Sequence, residues 1–140
     1  MPINDLLINA CKKVYLQLGV GHTERIYHKA LVYELGCHNL NIDTEMNIVV
    51  KYEDSHNKLH HLESLRIDIF IHDHNIILEL KAISRKIQPQ ELAQIKKYFN
   101  ILNKDNIKLD YGIIINFPQP STKEIDNEIE YLIVKNDTLI

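Results

Sequence analysis

The segment RIDIFIHDHNIILELKAI, residues 66 to 83, leaves the chain little choice of local structure. Two runs rich in β-branched residues, Arg66 to Ile71 and Ile76 to Ile83, flank the turn-forming His72, Asp73, His74 and Asn75, and this pattern predicts a β-hairpin. Side chains alternate between the two faces of a strand. Arg66, Asp68 and Phe70 therefore share one face of the first run, while Ile67, Ile69 and Ile71 share the other. In the second run Ile76, Leu78, Leu80 and Ala82 form an apolar face opposite Ile77, Glu79, Lys81 and Ile83. Packing the apolar faces against a core leaves Asp68, Glu79 and Lys81 together on the other side.

Two carboxylates from paired strands suit a hard divalent cation that prefers oxygen, Mg²⁺ or Mn²⁺. The ammonium of Lys81, about 6–7 Å along the strand from Glu79, is placed to orient a water or to stabilise charge on a phosphate. An E-x-K on a strand also occurs as a solvated face with a modest charge pair, so support is needed elsewhere in the chain. The spacing of Asp68, ten residues, then Glu79-Leu80-Lys81 resembles the PD-(D/E)xK nuclease core. By that resemblance Asp68 and Glu79, with the Leu80 backbone carbonyl, hold the metal, and Lys81 completes the catalytic set. Ile67 stands where the motif's name places a proline.

Towards the N-terminus, Asn4 is positioned to cap a helix running to about Leu18, with Leu7, Ala10, Cys11, Val14 and Leu18 as its buried stripe. Gly19 and Gly21 interrupt it. Thr23 caps a second helix, Glu24 to Leu35, closed by Gly36 and expected to turn Ile26, Ala30, Leu31 and either Tyr33 or Leu35 inward. Across this junction Gly21-His22-Thr23-Glu24-Arg25-Ile26-Tyr27, with Ala30-Leu31 and Glu34-Leu35, resembles the signature of the GxxExxY proteins of the same superfamily. That resemblance implies that Glu24 is an additional acidic ligand or holds a water near the metal. A carboxylate in the first helical turn is favoured by the helix dipole. The competing reading makes Glu24 a capping residue and Tyr27 a packing aromatic.

Residues 43 to 52 read as a strand, Glu53 to Lys58 as a polar turn, and the next strand begins near His61. Glu45 matches a frequently acidic position of the family, but an exposed strand-end glutamate is the favoured reading. The eight histidines offer no matched pair at zinc spacing and are expected on surface loops, with His22 nearest the proposed site. Gln88-Pro89 opens a helix through about Leu102, with Leu92, Ile95, Phe99 and Leu102 buried. Gln94 and Tyr98 lie four apart on a neighbouring face of it. The pair resembles the Gln-x-x-x-Tyr element of RecB-type members, which implies a role in binding the nucleic-acid backbone. An exposed Gln and a half-buried Tyr are the alternative.

Lys108 to Phe117 reads as a central strand ended by Pro118 and Pro120. The tail is expected to add a short helix at Thr122 to Asn127 and a strand near Tyr131 to Val134. With 140 residues, 45% of them hydrophobic, one domain spanning residues 1–140 is expected. The N-terminus shows neither a signal peptide nor a membrane span, so an intracellular, soluble protein is expected. Cys11 and Cys37 form no metal motif and are expected to be reduced and buried.

The net charge of −3 argues against wrapping nucleic acid by charge alone. Arg85, Lys86, Lys96, Lys97 and Lys104 nonetheless stand against only Glu91 between residues 84 and 104, as a basic patch or a solvated helix face. The element order predicts an α/β fold, and the resemblance implies a restriction-endonuclease-like αβββαβ core with a mixed central sheet flanked by helices. The expected activity is Mg²⁺- or Mn²⁺-dependent phosphodiester hydrolysis, on DNA ahead of RNA, with a homodimer compatible with so small a chain. The alternative is a catalytically silent module of the same fold that binds nucleic acid or a protein.

Overall fold

A computed structural model describes residues 1–120 and 128–136 of the chain. Helices α1 (Ile3–Leu18) and α2 (Glu24–Gly36) precede strands β1 (Ile42–Glu53) and β2 (Leu59–Ile71), a short 3₁₀ turn (His72–His74) and β3 (Ile76–Lys81). Helix α3 (Pro89–Lys104), β4 (Tyr111–Asn116) and β5 (Glu130–Lys135) follow. The sheet order is β1-β2-β3-β4-β5, with β3 and β4 parallel and every other pair antiparallel. This mixed sheet flanked by helices is an α/β architecture consistent with a restriction-endonuclease-like fold. The parallel pair is joined through α3, the crossover that such a pair requires.

Each face of the sheet is covered by its own apolar layer. On one side α1 and α2 lay Leu7, Cys11, Tyr27, Leu31 and Leu35 over Ile69, Leu78, Leu80, Ile113 and Phe117. On the other, α3 lays Ile95, Tyr98, Phe99 and Leu102 over Ile67, Phe70, Ile77 and Ile114. Burial on both sides explains why β3 and β4 are almost continuously apolar. Close approach of α3 also depends on Gly112, where a Cβ would fall 2.3 Å from Ile95 Cδ1.

Several sequence expectations are corrected. Helix α1 starts a residue before Asn4, which lies inside it and accepts a hydrogen bond from the Tyr111 hydroxyl instead of capping. The stripe α2 buries is Tyr27, Leu31 and Leu35, an i, i+4, i+8 row, while Ile26 and Tyr33 are exposed. Ile67 joins the α3-side layer rather than Ile69 and Ile71. Strict alternation fails near Asp68, where Glu45 of the neighbouring strand adopts a left-handed φ of 51°. Cys37 is exposed, whereas Cys11 is buried as expected. β3 ends at Lys81 rather than Ile83. The expected β5 is present, and the helix expected at Thr122 to Asn127 lies outside the described residues. Among the described residues, no helix is long and apolar enough to cross a membrane.

Candidate active site

The hairpin of β2 and β3 pairs through only three residue pairs, the last being Ile69 with Leu78. Beyond that point the side chain of Asp68 takes over from the backbone ladder: its Oδ2 accepts the Leu80 N–H at 2.7 Å. Glu79 projects beside it towards α3 and is buried, at 3% exposure. The strand period sets Glu79 on the α3 side of β3, and Asp68 meets it although the alternation along β2 breaks at that residue.

Glu24 arrives from a different element. Carboxylate oxygens of Glu24, Asp68 and Glu79 all lie within 4.8 Å of one another, the metal-capable cluster among the described residues. Tyr27 anchors this end of α2: it is fully buried, stacks on Phe117 with ring centroids 4.5 Å apart, and donates its hydroxyl hydrogen to the Gly19 carbonyl at 2.6 Å. Tyr27 therefore packs, as one reading of the motif had it, and its packing places Glu24 at the cluster. His22 bonds the Leu18 carbonyl and sets its ring edge-on to Tyr27.

Lys81 and the helix α3 pair complete the arrangement. Lys81 Nζ donates to Gln94 Oε1 at 2.8 Å, and the Gln94 amide donates to the Tyr98 hydroxyl at 2.9 Å. Gln94 is half-buried and Tyr98 is 3% exposed, so neither matches the surface alternative. Glu45 is exposed on β1 and is not part of the cluster.

Crowded acids that lose water resist ionising. Burial first, and then the nearby Asp68 charge, push the Glu79 carboxyl from its ordinary 4.5 up to about 9, with Lys81 and Tyr98 opposing the shift. Burial and Asp68 also raise the Glu24 pKa, against the pull of Lys81. Glu79 Oε2 has no hydrogen-bond partner although it is buried. Buried polar atoms are nearly always satisfied. An orphaned carboxylate oxygen among three converging acids fits an oxygen-seeking divalent cation, whose charge would offset the mutual repulsion.

A family model described as the PD-(D/E)XK nuclease superfamily matches residues 2–128 of the chain. The protein belongs to this superfamily. No curated protein matches it. A solved structure described as "Crystal structure of SSO0001" is similar over 96% of this chain and 78% of that one, at 15% identity and a TM-score of 0.49. The matched range contains Asp68, Glu79 and Lys81, the residues whose spacing resembles the motif, with Ile67 where its name places a proline. A proline there supplies no ligand, so the isoleucine costs the cluster nothing.

Sequence reasoning missed the residues that brace this cluster from behind. Asn116, 1% exposed at the end of β4, accepts the Ile83 N–H at 3.0 Å and donates to the Arg85 carbonyl at 3.3 Å. Glu130 accepts the Ile87 N–H at 3.0 Å. Together they hold the loop that joins Lys81 to α3. One signal was available: Asn116 is a polar residue ending a buried run of isoleucines. The basic patch is partly neutralised, with Arg85 on Glu91 and Lys97 on Glu63.

Proposed function

We propose that the protein is a metal-dependent nuclease that hydrolyses phosphodiester bonds of DNA, using Glu24, Asp68 and Glu79 to hold Mg²⁺ or Mn²⁺. The observation that carries this reading is the convergence of three carboxylates within 4.8 Å, one of them buried with an unpartnered oxygen, beside Lys81. The Leu80 carbonyl is a further proposed ligand, its N–H being already used to fix Asp68. The chemistry such an ion supplies is acidification of water and an offset for the charge that gathers on phosphate.

The chain's own residues supply the remainder. Lys81, its Nζ held by Gln94, is oriented to stabilise the anionic phosphate in the transition state or to align the attacking water. Gln94 uses one amide hydrogen on Tyr98 and keeps a second for a phosphate oxygen, which supports substrate binding by this pair. We place the protein with the GxxExxY type, on Gly21, Glu24 and Tyr27, with a RecB-like Gln94–Tyr98 element; DNA is preferred to RNA on that resemblance. A homodimer would extend the small surface available to a duplex.

The test is a cleavage panel of single-stranded, duplex and branched DNA and of RNA, with Mg²⁺ or Mn²⁺, run beside identically purified Lys81→Ala. Wild type should cut DNA, and the variant should be slower by about 10²–10⁴-fold. Equal rates in the two proteins would remove Lys81 from the mechanism. Absence of cleavage, together with no Mn²⁺ binding at millimolar concentration, would favour a silent module that keeps the fold for binding.

A further inference from the structure

Glu24 is the one acid of the cluster that does not come from the hairpin, so something must fix its helix to the strand that carries Glu79. α2 follows a turn containing Gly19 and Gly21, with φ of 73° and 95°. Such a turn does not hold itself in register. The contacts that hold it converge on Gln119, just beyond β4.

Gln119 Oε1 accepts the Gly21 N–H at 2.8 Å. Its Nε2 donates to the Tyr27 hydroxyl at 3.0 Å and to the Phe117 carbonyl at 3.0 Å. Its backbone N–H donates to the Ile83 carbonyl at 3.0 Å, extending the pairing in which the Phe117 N–H donates to the Lys81 carbonyl at 2.9 Å. One residue is thus bonded both to the turn that precedes Glu24 and to the stretch that follows Lys81. Each side-chain polar group of Gln119 has a partner, and the Tyr27 hydroxyl accepts from Gln119 while donating to Gly19.

We propose that Gln119 is a positioning residue that locks the Gly19–Gly21 turn to the end of β3 and so sets Glu24 against Asp68 and Glu79. The inference rests on the metal-site reading for its functional consequence and on hydrogen bonds alone for its structural one. Partners one shell out from metal ligands typically change metal affinity about 10–100-fold when lost, because they fix ligand geometry. Gln119 acts one step further out, through the turn and the first residues of α2, so the low end of that range applies.

The experiment compares full-length wild type, Gln119→Met, Glu24→Gln and the double variant. Methionine keeps the length of the side chain and removes its amide. Mn²⁺ affinity is read from the EPR signal of the free ion, and amide hydrogen exchange is measured separately on the metal-free proteins. Gln119→Met should weaken Mn²⁺ binding about 10-fold in the presence of Glu24 and have little further effect once Glu24 is Gln. In metal-free protein it should speed exchange at Gly21 and the first turn of α2 while leaving β3 protected. Tyr27→Phe, which keeps the ring stack and removes a hydroxyl that Gln119 contacts, should show the same coupling to Glu24 and serves if Gln119→Met does not fold. An equal loss of affinity in both backgrounds, or unchanged exchange at Gly21, overturns the proposal. Failure of wild type to bind Mn²⁺ would instead refute the metal-site reading, and the exchange data would still decide whether Gln119 holds the turn.

Discussion

Glu79 and Glu91 are buried to nearly the same degree, 3% and 4% exposed, and are held in opposite electrostatic states. Glu91, in the first turn of α3, receives the Arg85 guanidinium at 2.5 Å and 3.3 Å and the Gln88 N–H at 3.1 Å. The hydrogen bonds from Arg85 hold its carboxyl below the ordinary range, against the cost of burial. Glu79 sits instead beside another acid, with one oxygen unpartnered, and is pushed upwards. The fold can evidently satisfy a buried carboxylate when a cation and a helix N-terminus are supplied. At Glu79 it supplies neither in full, which is the environment that the proposed divalent cation would balance.

The largest effect that would break this contrast is on catalysis. Glu79→Gln should lower cleavage by about 10³-fold, the scale for losing a key electrostatic group. In EDTA the same variant should instead flatten the pH dependence of stability. Folded Glu79 ionises near 9 and an unfolded glutamate near 4.5, so between those values the folded protein keeps a proton that the unfolded chain has released. Stability of the metal-free wild type should therefore fall as pH rises through that window. Glu91 contributes with the opposite sign: its carboxyl is held below 4.5, so its contribution is present above that value and lost on acidification. Urea unfolding in EDTA from about pH 5 to about pH 9 reads the difference. A wild-type profile that matches Glu79→Gln would make Glu79 another structural acid.

A smaller effect is expected at the other glutamate. Glu91→Ala removes one half of the capping box formed with Gln88 and should cost about 1 kcal/mol, read as a drop of a few degrees in Tm. Cleavage measured well below that Tm should stay within a few-fold of wild type. A loss as large as that of Glu79→Gln would erase the distinction between the two acids.

What could be read from the sequence followed how local each feature is. Glu79 and Lys81 share a face of β3 because a strand has a period of two, and Gln94 meets Tyr98 because a helix brings residues four apart together. Asp68 reaches Glu79 across a break in the alternation that the pattern did not show. Glu24 needed a motif, since no periodicity relates a helix start to a strand fifty residues later. Gln119 carried no signal between two prolines, because its partners Tyr27 and Gly21 lie 92 and 98 residues away. The misjudged stripe of α2 has the same origin. Ile26 is the more hydrophobic neighbour, but Tyr27 is buried because Phe117 supplies a ring to stack on and Gly19 a carbonyl for its hydroxyl.

The finest test of the contrast lies at Tyr98, where Glu79 finds part of what Arg85 gives Glu91. The neighbouring Tyr98 hydroxyl favours the ionised Glu79 carboxyl and lowers its pKa, though less than burial and Asp68 raise it. Burial and the Glu79 charge in turn push the Tyr98 pKa up, so the phenol stays a donor across the working range. Tyr98→Phe keeps the ring in the α3-side layer and removes the hydroxyl, both as a donor near Glu79 and as the acceptor for the Gln94 amide, at about 1 kcal/mol of stability. Glu79 should then ionise at still higher pH. A cation must displace the proton it retains, so Mn²⁺ affinity near pH 7 should fall several-fold, by about the factor that the shift imposes on the ionised fraction. That deficit should close as pH is raised past the Glu79 midpoint, because both proteins then present the same carboxylate. A deficit that stays constant across the titration would mean that Tyr98 acts on the geometry of the site, through Gln94 and Lys81, rather than on the charge of Glu79.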